Sequence, residues 1–225
     1  MPTVFITGAS RGLGLEFARQ YAQAGWRVIA TCRNLVGSEG LPGLPGVETH
    51  ALDVTDFEAM KALAVKFETC PIDLFLCNAG IFGGDQEFGE VEPQDFARTL
   101  NTNLIAPTML AQAFWPQVAA SKGRVMAFLS SRMGSMEDNK SGGYYIYRAS
   151  KAGLNAIVKS LSVDLEAKGI TAVALHPGWV KTDMGGEAAL LQPSDSIAGL
   201  RQVLAGLSQK HSGKFLNYDG LEIPW

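Results

Sequence analysis

The stretch Val4-Phe5-Ile6-Thr7-Gly8-Ala9-Ser10-Arg11-Gly12-Leu13-Gly14 decides the fold. Val4-Phe5-Ile6 is a short apolar run, as a buried strand requires, and Gly8 closes it. Over residues 13–24 the apolar positions Leu13, Phe17, Tyr21 and Ala24 recur at helical spacing, and Gly25 follows as the expected cap. The glycines between strand and helix let the backbone turn sharply and approach a phosphate closely. The helix N-terminus beyond them offers N–H groups and the positive end of its dipole to a pyrophosphate. A glycine turn between strand and helix predicts a nucleotide site lined by Gly8, Ser10, Arg11, Gly12, Leu13 and Gly14.

Outward from that unit, strands and helices alternate. Strands are expected over 27–31, 49–53, 72–77, 124–129, 170–175 and 214–218, and helices over 55–67, 93–118, 147–168 and 193–208. Residues 36–47 are rich in Gly and Pro and read as a loop. Thr55-Asp56-Phe57-Glu58 resembles a capping box. Pro93 suits a first helical turn, whereas Pro107 predicts a kink or break inside its helix. The run 72–77 is apolar throughout, as in parallel strands buried on both faces. The pattern predicts an α/β fold: a doubly wound parallel sheet with helices on both faces, one domain over 1–225.

Composition narrows the function. The 225 residues suit one well-buried domain, and 47% hydrophobic content excludes a disordered chain. A net charge of −3 with no basic run argues against nucleic acid. No apolar stretch approaches the roughly 20 residues of a membrane helix. No leader with a charged start and apolar centre is seen, and Cys32, Cys70 and Cys77 lack metal-ligand spacing. A cytoplasmic protein with reduced thiols and no metal is expected.

Tyr147-Arg148-Ala149-Ser150-Lys151 places a phenol and an ammonium on one helix face, one turn apart. A nearby cation lowers a phenol's pKa from about 10, which fits proton transfer at a carbonyl or alcohol. Ser131 stands at the end of the fifth expected strand, the edge where open α/β sheets bind ligands. Asp53-Val54, Asn78-Ala79-Gly80, Asn103 and Pro177-Gly178 complete the set of motifs.

The glycine spacing Gly8-x3-Gly12-x-Gly14 and this motif order resemble the short-chain dehydrogenase/reductase family over essentially the whole chain. Residues 141–151 and 214–225 look most like its carbonyl-reductase/C-factor-like branch. The resemblance implies Tyr147 as proton donor and acceptor, with Lys151 beside it and reaching the nicotinamide ribose. It implies Ser131 holding the substrate oxygen, with Ser130 the lesser alternative. It implies Asn103 holding a water through its backbone carbonyl, with Asn101 competing. It places Asp53 on the adenine, although the same carboxylate can equally cap a turn, with the Val54 backbone alongside. Asn78, Ala79 and Gly80 join the cofactor site, and Pro177, Gly178, Val180 and Thr182 meet the nicotinamide. Members usually form homodimers or homotetramers.

The spacing from Ser131 to Tyr147 is longer than the commonest in the family. Tyr144 stands at the common distance, but Arg148, not lysine, follows it by four, so Tyr147 is preferred. The cofactor follows from the second strand, which ends in Thr31-Cys32-Arg33-Asn34. NAD enzymes of this fold usually carry a carboxylate there for the ribose 2′-hydroxyl. Here Arg33, beside Asn34, and Arg11 offer charge-assisted bonds to a 2′-phosphate, so NADP(H) is expected over NAD(H). Phe82, Met133, Tyr144, Trp179 and Met184 flank the motifs as candidate walls for a hydrophobic carbonyl substrate. The short segment between Met184 and Pro193 predicts an open or partner-completed pocket. His176 reads as a structural strand-end histidine. The reading is an NADP(H)-dependent carbonyl reductase; the contrasting reading is an NADP(H)-binding signalling protein with little turnover.

Overall fold

A computed structural model describes residues 1–35, 40–41 and 43–225. The loop expected over 36–47 therefore lies partly outside the described residues. The described strands are β1 (Thr3–Ile6), β2 (Arg27–Cys32), β3 (Val47–Ala51), β4 (Leu74–Cys77), β5 (Val125–Leu129), β6 (Thr171–His176) and β7 (Phe215–Asn217). They form one sheet in the order β3-β2-β1-β4-β5-β6-β7, with every pairing parallel. The helices are α1 (Gly12–Gln23), α2 (Phe57–Lys66), α3 (Pro93–Leu100), α4 (Ala106–Ala119), α5 (Tyr145–Asp164) and α6 (Pro193–Ala205). The chain reverses direction across the sheet between β1 and β4, the switch point where ligands bind in such folds.

The two faces carry two cores. On one, Phe5, Phe75, Met126 and Phe128 pack against Met60 of α2, Phe114 of α4 and Leu154 of α5. Phe5 stacks on Phe75 at 4.9 Å, and Phe114 lies 4.7 Å from Phe5. On the other, Val4, Ile6, Leu76 and Leu129 meet Phe17 of α1 and Leu200 of α6. Alternate residues of the same strands feed opposite cores, as the period of two requires. The sheet is thus anchored from both sides, and its C-terminal edge is left to the loops. Among the described residues no helix is long and apolar enough to cross a membrane.

Three local expectations change. The third strand lies two residues earlier than expected, at Val47–Ala51. The capping box over 55–58 does not form: Asp56 is the cap, accepting from the Ala59 N–H, while Thr55 donates to Asp53. The long helix expected over 93–118 is two helices joined by a π-helical turn, Asn101–Ile105. Pro107 has no N–H and cannot close an α-helical bond to Asn103, so the backbone widens just before it. At the end of α1 the expected glycine cap is met. Gly25 has φ 77°, and the N–H groups of Gly25 and Trp26 close on the Ala22 and Tyr21 carbonyls.

Candidate active site

The glycine turn and the loop after β4 are built as one unit. Thr7 Oγ1 accepts from the Asn78 and Ala79 N–H groups. The Asn78 amide returns both its hydrogens to the Thr7 and Gly8 carbonyls, at 2.9 and 3.0 Å. Gly8 adopts φ +67°, and a Cβ there would lie 2.9 Å from Ala79 Cα. A Cβ on Gly14 would stand 2.3 Å from the Gly8 carbonyl. These close approaches keep the turn tight and leave the first turn of α1 without a side-chain cap among the described residues. Its N–H groups are the donors an anion would meet.

A cleft of about 480 Å³ opens along this edge of the sheet. Gly8, Ser10, Arg11, Gly12, Leu13 and Gly14 line it at one end, with Arg33, Asp53 and Val54 beside them. Asn78, Ala79, Gly80, Tyr147, Lys151, Pro177, Thr182 and Met184 also line it, with the Thr182 methyl 3.6 Å from where a Cβ on Gly12 would stand. Asn34, Gly178 and Val180 do not line it; Val180 is buried, and Gly178 packs against Leu191 and Tyr218. Asp53 both lines the cleft and caps a local turn, its Oδ1 accepting from Thr55 N–H and Oγ1; those bonds hold its carboxyl below the usual range. Arg11 reaches across the mouth to Asp183 at 2.7 Å, so of the two expected phosphate-binding cations Arg33 is the one set at the exit of β2.

The Tyr147–Lys151 pair is buried at the inner end, at 8% and 5% exposure. The geometry departs from the expected coupling. Burial pushes the Tyr147 phenol up to about 12, and the Ser131 hydroxyl bonded to it pulls the other way. Lys151 is itself pushed down by burial, to about 8. Its Nζ donates to the Leu129 carbonyl at 2.7 Å and lies 5.7 Å from the Tyr147 ring centre. In this state burial outweighs the cation, because the ammonium is turned to a carbonyl and not to the phenol oxygen. Cys77, the thiol near Lys151, is also pushed up by burial and stays protonated.

The paired serines separate. Ser130 lines the cleft, but its hydroxyl is spent on Asn155 Oδ1 at 2.6 Å; Ser131 does not line it, and its hydroxyl accepts from the Met133 N–H and bonds the Tyr147 phenol. The asparagines separate too. Asn101 lines the cleft. Asn103 is fully buried, its amide spent on the Ile81 backbone and Ser150. What Asn103 has left for chemistry is its backbone carbonyl, to which residue 107, a proline, offers no N–H. His176 is pushed down to about 4, largely by burial, and is neutral at pH 7.

A family model, short chain dehydrogenase, matches residues 2–190. The chain belongs to the short-chain dehydrogenase family. The Myxococcus xanthus protein C-signal is 44% identical over 166 residues, 74% of this dehydrogenase and all of the relative. The carbonyl reductase Sniffer of D. melanogaster is 36% identical, with a TM-score of 0.94 over the whole of both chains. An NADPH-bound carbonyl reductase from chicken fatty liver is 33% identical, with a TM-score of 0.93 over 100% of this chain and 99% of the other.

Of the candidate substrate walls in this dehydrogenase, Met184 lines the cleft. Phe82 packs on Tyr147 at 4.8 Å and on Tyr144 at 5.9 Å, forming an aromatic shoulder. Met133 takes its N–H to Ser131 and its carbonyl to Arg148. Trp179 is half exposed and held through its indole N–H on the Gly185 carbonyl. With Met184 and Tyr144 also about half exposed, the mouth is open, as the short segment before α6 predicts. Sequence reasoning missed Cys32, Leu52, Thr55, Ile81, Arg98, Thr102, Leu129 and Asp183 in the cleft. Most follow directly on a strand end or sit in the π-turn region, and neighbourhood to a motif was the available signal. Among the described residues no His, Cys and carboxylate cluster could hold a metal.

Proposed function

We propose that this chain is an NADP(H)-dependent carbonyl reductase with Tyr147 as proton donor. The observation that carries the reading is one cleft holding the glycine turn, Arg33, Tyr147 and Lys151. The cofactor fits on the chain's own geometry: Gly8 and Gly14 leave no room for a Cβ, and helix α1 offers uncapped N–H groups beside them. The NADPH and NADP bound by solved relatives agree with Arg33 at the end of β2. When bound, the cofactor supplies hydride to a carbonyl carbon.

The rest falls to the protein. Gly8, Ser10, Gly12, Leu13 and Gly14 bind the phosphates through backbone N–H groups. Arg33 meets a 2′-phosphate, and Arg11 joins it on exchanging its exposed Asp183 partner for the phosphate. Ser131 orients the substrate oxygen, and Tyr147 gives it the proton that balances the new alkoxide. A phenol pushed up to about 12 is fully protonated at pH 7, the form reduction needs. Lys151 replenishes that proton through a water held by the Asn103 carbonyl. The aromatic shoulder of Phe82 and Tyr144 holds an apolar carbonyl compound. Assembly as a homodimer or homotetramer belongs to the same proposal.

The test is fluorescence titration with NADPH and NADH, followed by NADPH oxidation against aldehydes, ketones and quinones. NADPH binds more tightly than NADH, and Tyr147→Phe lowers turnover by about 10²–10⁴-fold with NADPH binding intact. Unchanged turnover in that variant sinks the reading. The second reading, an NADP(H)-binding signalling protein with little turnover, rests on the 44% identity to C-signal. Tight NADPH binding without turnover on any carbonyl class favours it.

A further inference from the structure

One buried polar side chain near the cleft has no part in the chemistry above. Gln86, in the loop after β4, is 5% exposed. Its Oε1 accepts from the backbone N–H of Tyr147 at 2.8 Å, across 61 residues of sequence. Its Nε2 donates to the Phe82 carbonyl at 2.8 Å. One amide therefore joins the backbones of Phe82 and Tyr147, whose rings pack 4.8 Å apart.

Helix α5 needs such a partner at this point. The first N–H groups of a helix have no carbonyl one turn back to accept them. The residue at the N-cap, Tyr144, is left-handed at φ 54° and supplies no side-chain cap. Gln86 does from a distance what a capping residue does locally, and it does so on the N–H of Tyr147 itself. The loop that carries Gln86 has little slack. Asn103 holds the Ile81 N–H and carbonyl with one amide. The Asp95 carboxylate packs against Gly84, where a Cβ would lie 2.0 Å from Oδ2. Gly83 turns at φ +106° with Thr99 and Ile146 at close range.

We propose that Gln86 is the positioning residue of the site: its amide ties Phe82 to Tyr147, fixing the phenol and sealing it from water. The proposal rests on the reading of Tyr147 as proton donor. Removing the amide leaves the Tyr147 N–H and the Phe82 carbonyl without their partner and frees the ring of Phe82 to move off the phenol. Water then reaches a group that burial keeps protonated, and its pKa falls toward that of a free phenol, about 10.

Two variants test this, Gln86→Leu and Gln86→Met, which keep the volume and remove both bonds. The first readout needs no substrate. Tyrosinate absorbance is followed against pH in wild type and in each variant, with Tyr147→Phe in the same background subtracted to isolate Tyr147. The Tyr147 signal appears about one pH unit earlier in the variants than in wild type. The second readout is NADPH oxidation: kcat falls about 10²-fold, the scale of a misplacement near 1 Å, while NADPH affinity holds. An unmoved Tyr147 titration in both variants overturns the proposal. So does a parallel fall in thermal stability, NADPH affinity and kcat, which would mark a structural role alone. If wild type reduces no carbonyl compound, the reductase reading fails, and the Tyr147 titration still decides the role of Gln86.

Discussion

Lys151 carries its charge in surroundings that disfavour it. Its pKa of about 8, against 10.5 when exposed, means that at pH 7 the buried ammonium costs about 3 kcal/mol. Lys151→Met removes that cost and therefore folds more stably at pH 7, by up to about 3 kcal/mol, as denaturant unfolding will show, while turnover is lost. The sign follows from proton counts. Between about pH 8 and 10.5 the unfolded chain binds the extra proton, so wild-type stability climbs through that window. The advantage of the methionine is full below about pH 8 and fades above it. The same scale explains what sequence could not show about Tyr147. Four-residue spacing places the phenol and ammonium on one helix face, but spacing says nothing of depth. Depth decided the direction of the phenol's shift.

Elements meet where glycines let them. Gly14, in the first turn of α1, lies under the Gly8 carbonyl and the Asn78 amide, 2.3 and 2.6 Å from where a Cβ would stand. Gly14→Ala must push the helix off the β1 and β4 loops, and the obstacle is backbone, which has nowhere to turn. The variant loses more than about 2 kcal/mol of stability and its NADPH binding, read by thermal unfolding and cofactor fluorescence. The helix-to-helix junction makes a related point. Pro107 foretold a break in the stretch 93–118, and the break is the π-helical turn Asn101–Ile105. The proline foretold the break but not its form, since a missing N–H fits a kink, a break or a π-helical turn alike. The capping box over 55–58 failed because Asp53 captured Thr55 and left Asp56 as the cap.

At the scale of the whole molecule, the sheet carries the site and the two cores carry the sheet. Phe114 of α4 closes a ring cluster with Phe5 and Phe75 under the strands that bracket the switch point. Phe114→Ala costs about 3–5 kcal/mol of unfolding free energy in denaturant titration, with the cleft on the sheet edge retaining its NADPH affinity while the protein stays folded. The sequence by itself determined the alternating elements, the parallel sheet, the glycine turn and the Tyr147–Lys151 register, since periodicity and backbone chemistry are local. Only the tertiary structure decided that Ser130 and Asn101 line the cleft while Ser131 bonds the Tyr147 phenol and Asn103 is buried against Ile81 and Ser150. It alone paired Arg11 with Asp183 and brought Gln86 to the N–H of Tyr147. Those are contacts between residues tens to more than a hundred positions apart. They depend on where packing brings loops together at the sheet edge, which no local pattern encodes.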